Sequence, residues 1–267
     1  MNGVSNGPTG LWGGRPVPAQ GELQRLDIGP LRLSLRAEDG ELWITHSRAT
    51  GGEEPDRSLP DGAPWSRWAL PEGQCHLHLS PVFPDRPLVV KPEHAFTLMR
   101  RASARIYVRI PVWVRVEITD QPGGRRALLT EIPTVTLSET WWGDFRDGEM
   151  AYWLTTTGRR KLTPDLFGAH MVISAVQLDN LSEDDLQVEK LSLRVEHLSV
   201  YEKDGWLWAE EVRVEYHGDD EGTEIHMDDN APPEAAGARE ISPARLQGRS
   251  FKARTFARLR ALSGWGG

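Results

Sequence analysis

The stretch R-I-Y-V-R-I-P-V-W-V-R-V-E-I, residues 105–118, carries the longest two-residue alternation in the chain. Successive side chains of a strand point to opposite faces. Ile106, Val108, Ile110, Val112, Val114, Val116 and Ile118 therefore share one face. Arg105, Tyr107, Arg109, Trp113, Arg115 and Glu117 share the other. Pro111 interrupts the run and has no N–H to give a ladder, so it marks an edge or a bend. Fourteen residues exceed the usual strand of about 3–10. A bend at which the chain changes sheets is the expectation.

Downstream, E-I-P-T-V-T-L-S-E-T-W-W-G-D-F-R-D-G-E-M-A-Y-W-L-T-T-T, residues 131–157, reads as a hairpin. Thr134 to Leu137 with Thr140, and Tyr152, Trp153 and Thr155 to Thr157, are β-formers. Gly143 to Gly148 is turn chemistry, and Asp147-Gly148 tolerates the positive φ of a tight turn. Adjacent Trp141 and Trp142 must face opposite sides if they share a strand. One is then expected in the core and the other at least partly exposed.

Elsewhere short strands follow one another with turns every few residues. Leu31, Leu33 and Leu35 alternate with Arg32, Ser34 and Arg36, and Gln74–Ser80 places Cys75, Leu77 and Leu79 on one face. Strands recur from Met171 to Tyr216, with a turn at Lys203-Asp204-Gly205. The fold class expected is all-β, an antiparallel β-sandwich architecture in two sandwich-like halves, with one C-terminal amphipathic helix. The divisions are a loosely packed leader over 1–21, β-rich halves over 22–120 and 121–217, an acidic linker over 218–240 and a basic helical segment over 241–267. In that last segment Phe251, Thr255, Leu259 and Leu262 recur at helical spacing among Arg249, Lys252, Arg254, Arg258 and Arg260.

The 267 residues suffice for one large or two smaller β domains, and 26 Gly with 19 Pro suit many turns. The net charge is −8. Residues 218–267 contribute eight acids against seven bases, so the body before them carries −7. An acidic body argues against nucleic acid, which needs a basic face. No apolar run reaches the roughly 18 residues that span a bilayer. The start has no basic region followed by an apolar one, so no signal peptide is expected. Cys75 is the single cysteine, which excludes an intrachain disulfide framework. A cytoplasmic location is expected.

R-I-Y-V-R-I-P-V at 105–112, T-W-W-G-D-F-R-D-G-E-M-A-Y-W at 140–153 and the strands from Ile173 to Tyr216 resemble the domain of unknown function 432 of archaea and bacteria. The T-W-x-G-D-x-x-x-G-E pattern is the most specific part. The resemblance spans roughly residues 90–217 and leaves out the leader and the acidic stretch at 218–233. It implies a mostly β protein with no assigned activity and no catalytic residues to carry over. It also implies a gene neighbourhood with small-conductance mechanosensitive channels.

Five groups of residues are candidates for function. Asp144, Asp147 and Glu149, with Arg146, could ligate a hard cation. They lack the spacing of a calcium loop, and turn capping with an Arg–acid pair is the plain reading. His76 and His78 share a strand face as zinc ligands would, with no third ligand nearby. One of Trp113, Trp141, Trp142 and Trp153 could belong to a ligand or subunit interface, and core packing, which accounts for most of the eleven Trp, is the plain reading. His217, Asp219, Asp220, Glu221, Glu224, His226, Asp228 and Asp229 could bind a divalent ion or dock the basic helix, and otherwise form a solvated linker. The helix carrying Phe251, Lys252, Arg254, Arg258, Leu259 and Arg260 suits a membrane surface, a partner groove or the acidic body itself. Nucleophile elbows, phosphate loops and zinc-protease motifs are all absent.

The function expected is a non-enzymatic binding or regulatory module, contacting a protein partner or a second copy through the aromatic hairpin and the basic helix. No catalytic residue, cofactor or metal is assigned. The alternatives are an enzyme acting on carbohydrate or another polar small molecule through the turn carboxylates, and a peripheral membrane or channel-associated protein whose membrane contact is indirect.

Overall fold

The computed structural model describes residues 10–49, 64–120, 124–143, 145–146, 148–218 and 222–253, with the backbone alone at 155–157, 222 and 251–253. In chain order the strands are β1 (Gly13–Pro16), β2 (Leu23–Ile28), β3 (Leu31–Glu38), β4 (Glu41–Arg48), β5 (Ser66–Ala69), β6 (His76–Val82), β7 (Leu88–Pro92), β8 (Phe96–Leu98), β9 (Ser103–Pro111), β10 (Trp113–Thr119) and β11 (Ala127–Pro133). They continue as β12 (Ser138–Trp142), β13 (Glu149–Gly158), β14 (Met171–Asn180), β15 (Leu186–Val188), β16 (Leu191–Leu193), β17 (Val200–Lys203), β18 (Trp206–Trp208), β19 (Val212–Gly218), β20 (Gly222–Met227), β21 (Arg239–Ser242) and β22 (Ser250–Ala253). Helical structure among the described residues is confined to 3-10 turns at Pro164–Leu166, Val195–His197 and Pro233–Ala235. The protein is all-β with mainly antiparallel sheets. Parallel pairing enters where β13 meets β7 and where β14 meets β18 and β19.

One core lies between the β2-β3-β4-β5 sheet and the β1-β6-β10-β11 sheet. Leu31, Leu33 and Leu35 point into it, opposed by Leu77, Leu79, Val114, Val116 and Ile132. The other core takes Ile106, Val108, Ile110 and Val112 together with Leu88, Val176, Leu193, Val212 and Ile225. The two cores interleave along the chain, since residues 28–79 and 114–132 serve the first and residues 83–112 and 154–227 the second.

The hinge of this arrangement is Pro111-Val112, where the expected bend occurs. β9 pairs with β14, while β10 pairs with β6 and β11. Val112 stands between them, and its polar groups are not left bare. Its N–H donates to the His170 carbonyl (3.0 Å), and its carbonyl accepts the Thr134 N–H (3.1 Å) and hydroxyl (2.6 Å). One amphipathic stripe thereby feeds two cores.

Four expectations are corrected. Residues 10–21 are not a loose leader. Gly13–Pro16 forms β1 against β6, and Trp12 packs against both cores. Thr134–Leu137 precedes β12 instead of opening it, because Thr134 is committed to Val112. The acidic linker is largely structured. Thr223, Ile225 and Met227 are buried between outward Glu224 and His226, a strand whose alternation is masked by its carboxylates. Further on, Ala235 is buried in a third apolar cluster with Tyr107, Leu166, Tyr201 and Trp208. Finally, the first turn of the expected C-terminal helix is strand β22, with Phe251 opposite Ile225 and Lys252 opposite Glu224. Arg254, Arg258, Leu259 and Arg260 lie outside the described residues. Among the described residues no helix is long and apolar enough to cross a membrane.

Candidate functional site

The β12–β13 hairpin belongs to the sheet β12-β13-β7-β16. Its register pairs Trp141 with Met150 and Trp142 with Glu149. Alternation then separates the two tryptophans. Trp142 is only 7% exposed and packs on Val89, Ala151 and Trp153. Trp141 is 50% exposed, and its cross-strand partner Met150 is 41% exposed. At the turn Phe145 is 95% exposed. Three of the seven large apolar side chains exposed among the described residues thus belong to one hairpin end.

The other aromatic candidates are engaged elsewhere. Trp153 is half-buried, with the ammonium groups of Lys91 and Lys190 at 5.2 and 5.4 Å from its ring centre. Cations over an indole face are held by its quadrupole. Trp113 lies on β10 between the Tyr152 ring (6.4 Å) and the Arg245 guanidinium (5.3 Å). Arg245 also donates to the Phe83 carbonyl (2.6 Å) and pairs with Glu131 (2.7 Å). Trp113 therefore helps to join the two cores and does not extend the hairpin tip.

Of the turn carboxylates, Asp144 and Asp147 lie outside the described residues, and Arg146 is exposed. Glu149 is held in a two-pronged pair by Arg194, at 2.7 and 3.2 Å. That pair occupies the carboxylate that an acid–base role would need. Beside it lies a group the sequence reading passed over. Glu196 is 4% exposed, its Oε1 is 3.7 Å from Arg194, and its Oε2 has no hydrogen-bond partner. Burial pushes its carboxyl up to about 7, against the pull of a backbone hydrogen bond and Arg194 and with a push from Glu149 and Asp85. Alternation through Leu191, Leu193 and Val195 would turn Glu196 outward. The 3-10 turn at Val195–His197 breaks that period and turns it in.

The remaining candidates are placed as follows. His76 and His78 share the half-buried outer side of β6, and Cys75 precedes the strand with its thiol toward the Pro71 carbonyl (3.5 Å). His78 lines a cavity of about 340 Å3 where β1 and β6 approach β17 and β21. Burial and Arg126 lower its pKa. Arg126, Glu202, Arg239 and Glu240 also face this cavity, so its charges are mixed. On the outer side of β19 and β20, Glu215, Glu224 and His226 bring ligand atoms within 4.8 Å of one another. His226 Nε2 is 3.7 Å from Glu224 and 4.0 Å from Glu215, and His217 Nε2 is 3.9 Å from Glu215. Nitrogen and carboxylate donors so placed could hold a divalent transition ion. The register sets the backbone of Lys252 opposite Glu224. A second cavity, at the far end of β13, is lined by Pro92, Glu93, His94, Phe96, Ile106, residues 158–161 and Thr163. Neither cavity contains a residue of the hairpin tip.

A family model described as "Protein of unknown function (DUF432)" matches residues 11–260. The match reaches well beyond 90–217 and includes the acidic stretch and β1. No curated protein and no solved structure matches the chain. With nearly its whole length covered, the chain belongs to the DUF432 family of proteins of unknown function.

Proposed function

We propose that the protein is a non-enzymatic binding module of the cytoplasm, built as two sandwich-like halves, whose contact surface is the tip of the β12–β13 hairpin. The observation that carries this is the joint exposure of Trp141, Phe145 and Met150 on that one element. Apolar side chains gathered on one projecting element mark interaction surfaces, and tryptophan is enriched among the residues that dominate binding energy. For the enzymatic alternative, the one turn carboxylate among the described residues, Glu149, is already engaged by Arg194. The partner is a protein with an apolar recess, or a second copy of this chain.

The test compares the intact chain with Trp141→Ser/Phe145→Ser by pull-down from native lysate and by sedimentation velocity. Both side chains are exposed, so the two substitutions together should change stability by only about 1 kcal/mol. The expected result is a stoichiometric partner or dimer with the intact chain, weakened at least tenfold by the substitutions. A complex that survives them undiminished, or a monomer without partner in both cases, contradicts the reading.

A further inference from the structure

The cavity at the far end of β13 has a different chemistry from the hairpin. Its volume is about 420 Å3, within the roughly 300–1,000 Å3 of small-molecule sites. Pro92 and half-buried Phe96 line its apolar side, backed by the buried side chain of Ile106 on β9. Gly158 packs so closely that a Cβ there would stand 3.2 Å from Ile106 Cδ1. The wall at that point is bare backbone over aliphatic carbon.

The mouth is cationic. Arg159, Arg160 and Lys161 line it together with His94 and the single acid Glu93. Arg159 is spoken for, since its guanidinium reaches Asp165 at 2.5 Å and lies 3.9 Å from Glu93. Arg160 lies over the Phe96 ring at 5.6 Å, and neither Arg160 nor Lys161 has an acidic partner among the described residues. Two uncompensated cations beside an apolar hole stand out in a chain of net charge −8.

We propose that this cavity binds a medium-chain amphipathic anion, its tail against Phe96 and the apolar lining around it and its carboxylate or phosphate head against Arg160 and Lys161. An apolar lining lowers the free energy of a tail in proportion to the area it removes from water. Cations at the rim select the charge of the head and draw it in. The site is separate from the hairpin tip. The two lie at opposite ends of β13, which runs from Glu149 to Gly158, a distance of about 30 Å at roughly 3.3 Å per residue.

The experiment is calorimetric titration of the full chain with decanoate and with decyl phosphate, at low and high salt. Decyl maltoside supplies the tail without charge, and acetate and inorganic phosphate supply the charge without a tail. The expected result is one saturable site for decanoate, decyl phosphate or both, weakened by salt, with at least tenfold weaker binding of all three controls. Arg160→Glu/Lys161→Glu, both on exposed positions, should lower the affinity at least tenfold while Trp141→Ser/Phe145→Ser leaves it unchanged. No saturable binding of either anion, equal binding of decyl maltoside, or an unaffected Arg160→Glu/Lys161→Glu variant overturns the proposal. The relative affinities of the two anions tell a carboxylate site from a phosphate site.

Discussion

Gly29→Ala should destabilise the protein by about 3 kcal/mol, because two separate penalties fall on one added methyl. Gly29 joins β2 to β3 at φ +61, a conformation in which an L side chain is strained. A Cβ there would also stand 2.1 Å from His170 Nδ1. The backbone of His170 is fixed, and its ring has neighbours on two sides. Its carbonyl accepts the Val112 N–H at the crossing between the cores, and its ring is held between the β2–β3 turn and the segment before β14. Burial, with Arg109 nearby, lowers its pKa to about 4, so at neutral pH the contact involves an uncharged ring. Urea unfolding reads the effect as a fall in midpoint at unchanged slope. The double variant Gly29→Ala/His170→Ala should recover the share due to overlap and leave roughly 1–2 kcal/mol of left-handed strain. A loss below about 1 kcal/mol in the single variant would show that the close approach does not tie the cores together.

The second large effect is a gain. Glu196→Gln should stabilise the protein by about 3 kcal/mol at pH 8 and by nearly nothing at pH 4, one pKa unit being worth about 1.4 kcal/mol. The folded state holds the Glu196 proton more tightly than the unfolded chain does, since burial moves the group from its usual 4.5 up to about 7. Between those two values the folded state binds more protons, so stability is withdrawn as pH rises and the loss is complete above pH 7. A neutral amide in the same place removes that loss. Thermal unfolding of both proteins at pH 4, 6 and 8 measures it. Parallel curves with no pH-dependent gap would mean that Glu196 is charged in the folded protein and compensated by Arg194.

The parts of this fold legible in the sequence are those fixed by neighbours in the chain. The stripe from Ile106 to Ile118 and its break at Pro111 needed only alternation and a missing N–H. The separation of Trp141 from Trp142 followed from the same rule. The illegible parts depend on distant partners. Nothing local announces that Gly29 meets His170, or that Thr134 leaves its strand to bond Val112. Glu196 was hidden by a 3-10 turn that ends an apparent alternation. In β20, Glu224 and His226 suggested a solvated linker because the apolar residues between them are few, yet β19 supplies their ladder. Phe251 has helical spacing with Leu259, but its pairing with Ile225 makes it strand. For that reason a chain ended at Gly218 would lose β20, β21 and β22 from the sheet they share with β9, β14, β17, β18 and β19, and would test folding more than function.

For the hairpin, a photo-crosslinking phenylalanine analogue at position 145 gives the most direct readout in living cells. Phe145 is almost fully exposed, so the exchange leaves the fold alone. Met99, 65% exposed and away from the hairpin, serves as the control position. A binding tip gives a discrete adduct of one mass from position 145 and none from position 99, abolished by Trp141→Ser. No adduct at 145, or the same adducts from both positions, would contradict the claim that the hairpin tip is a binding surface.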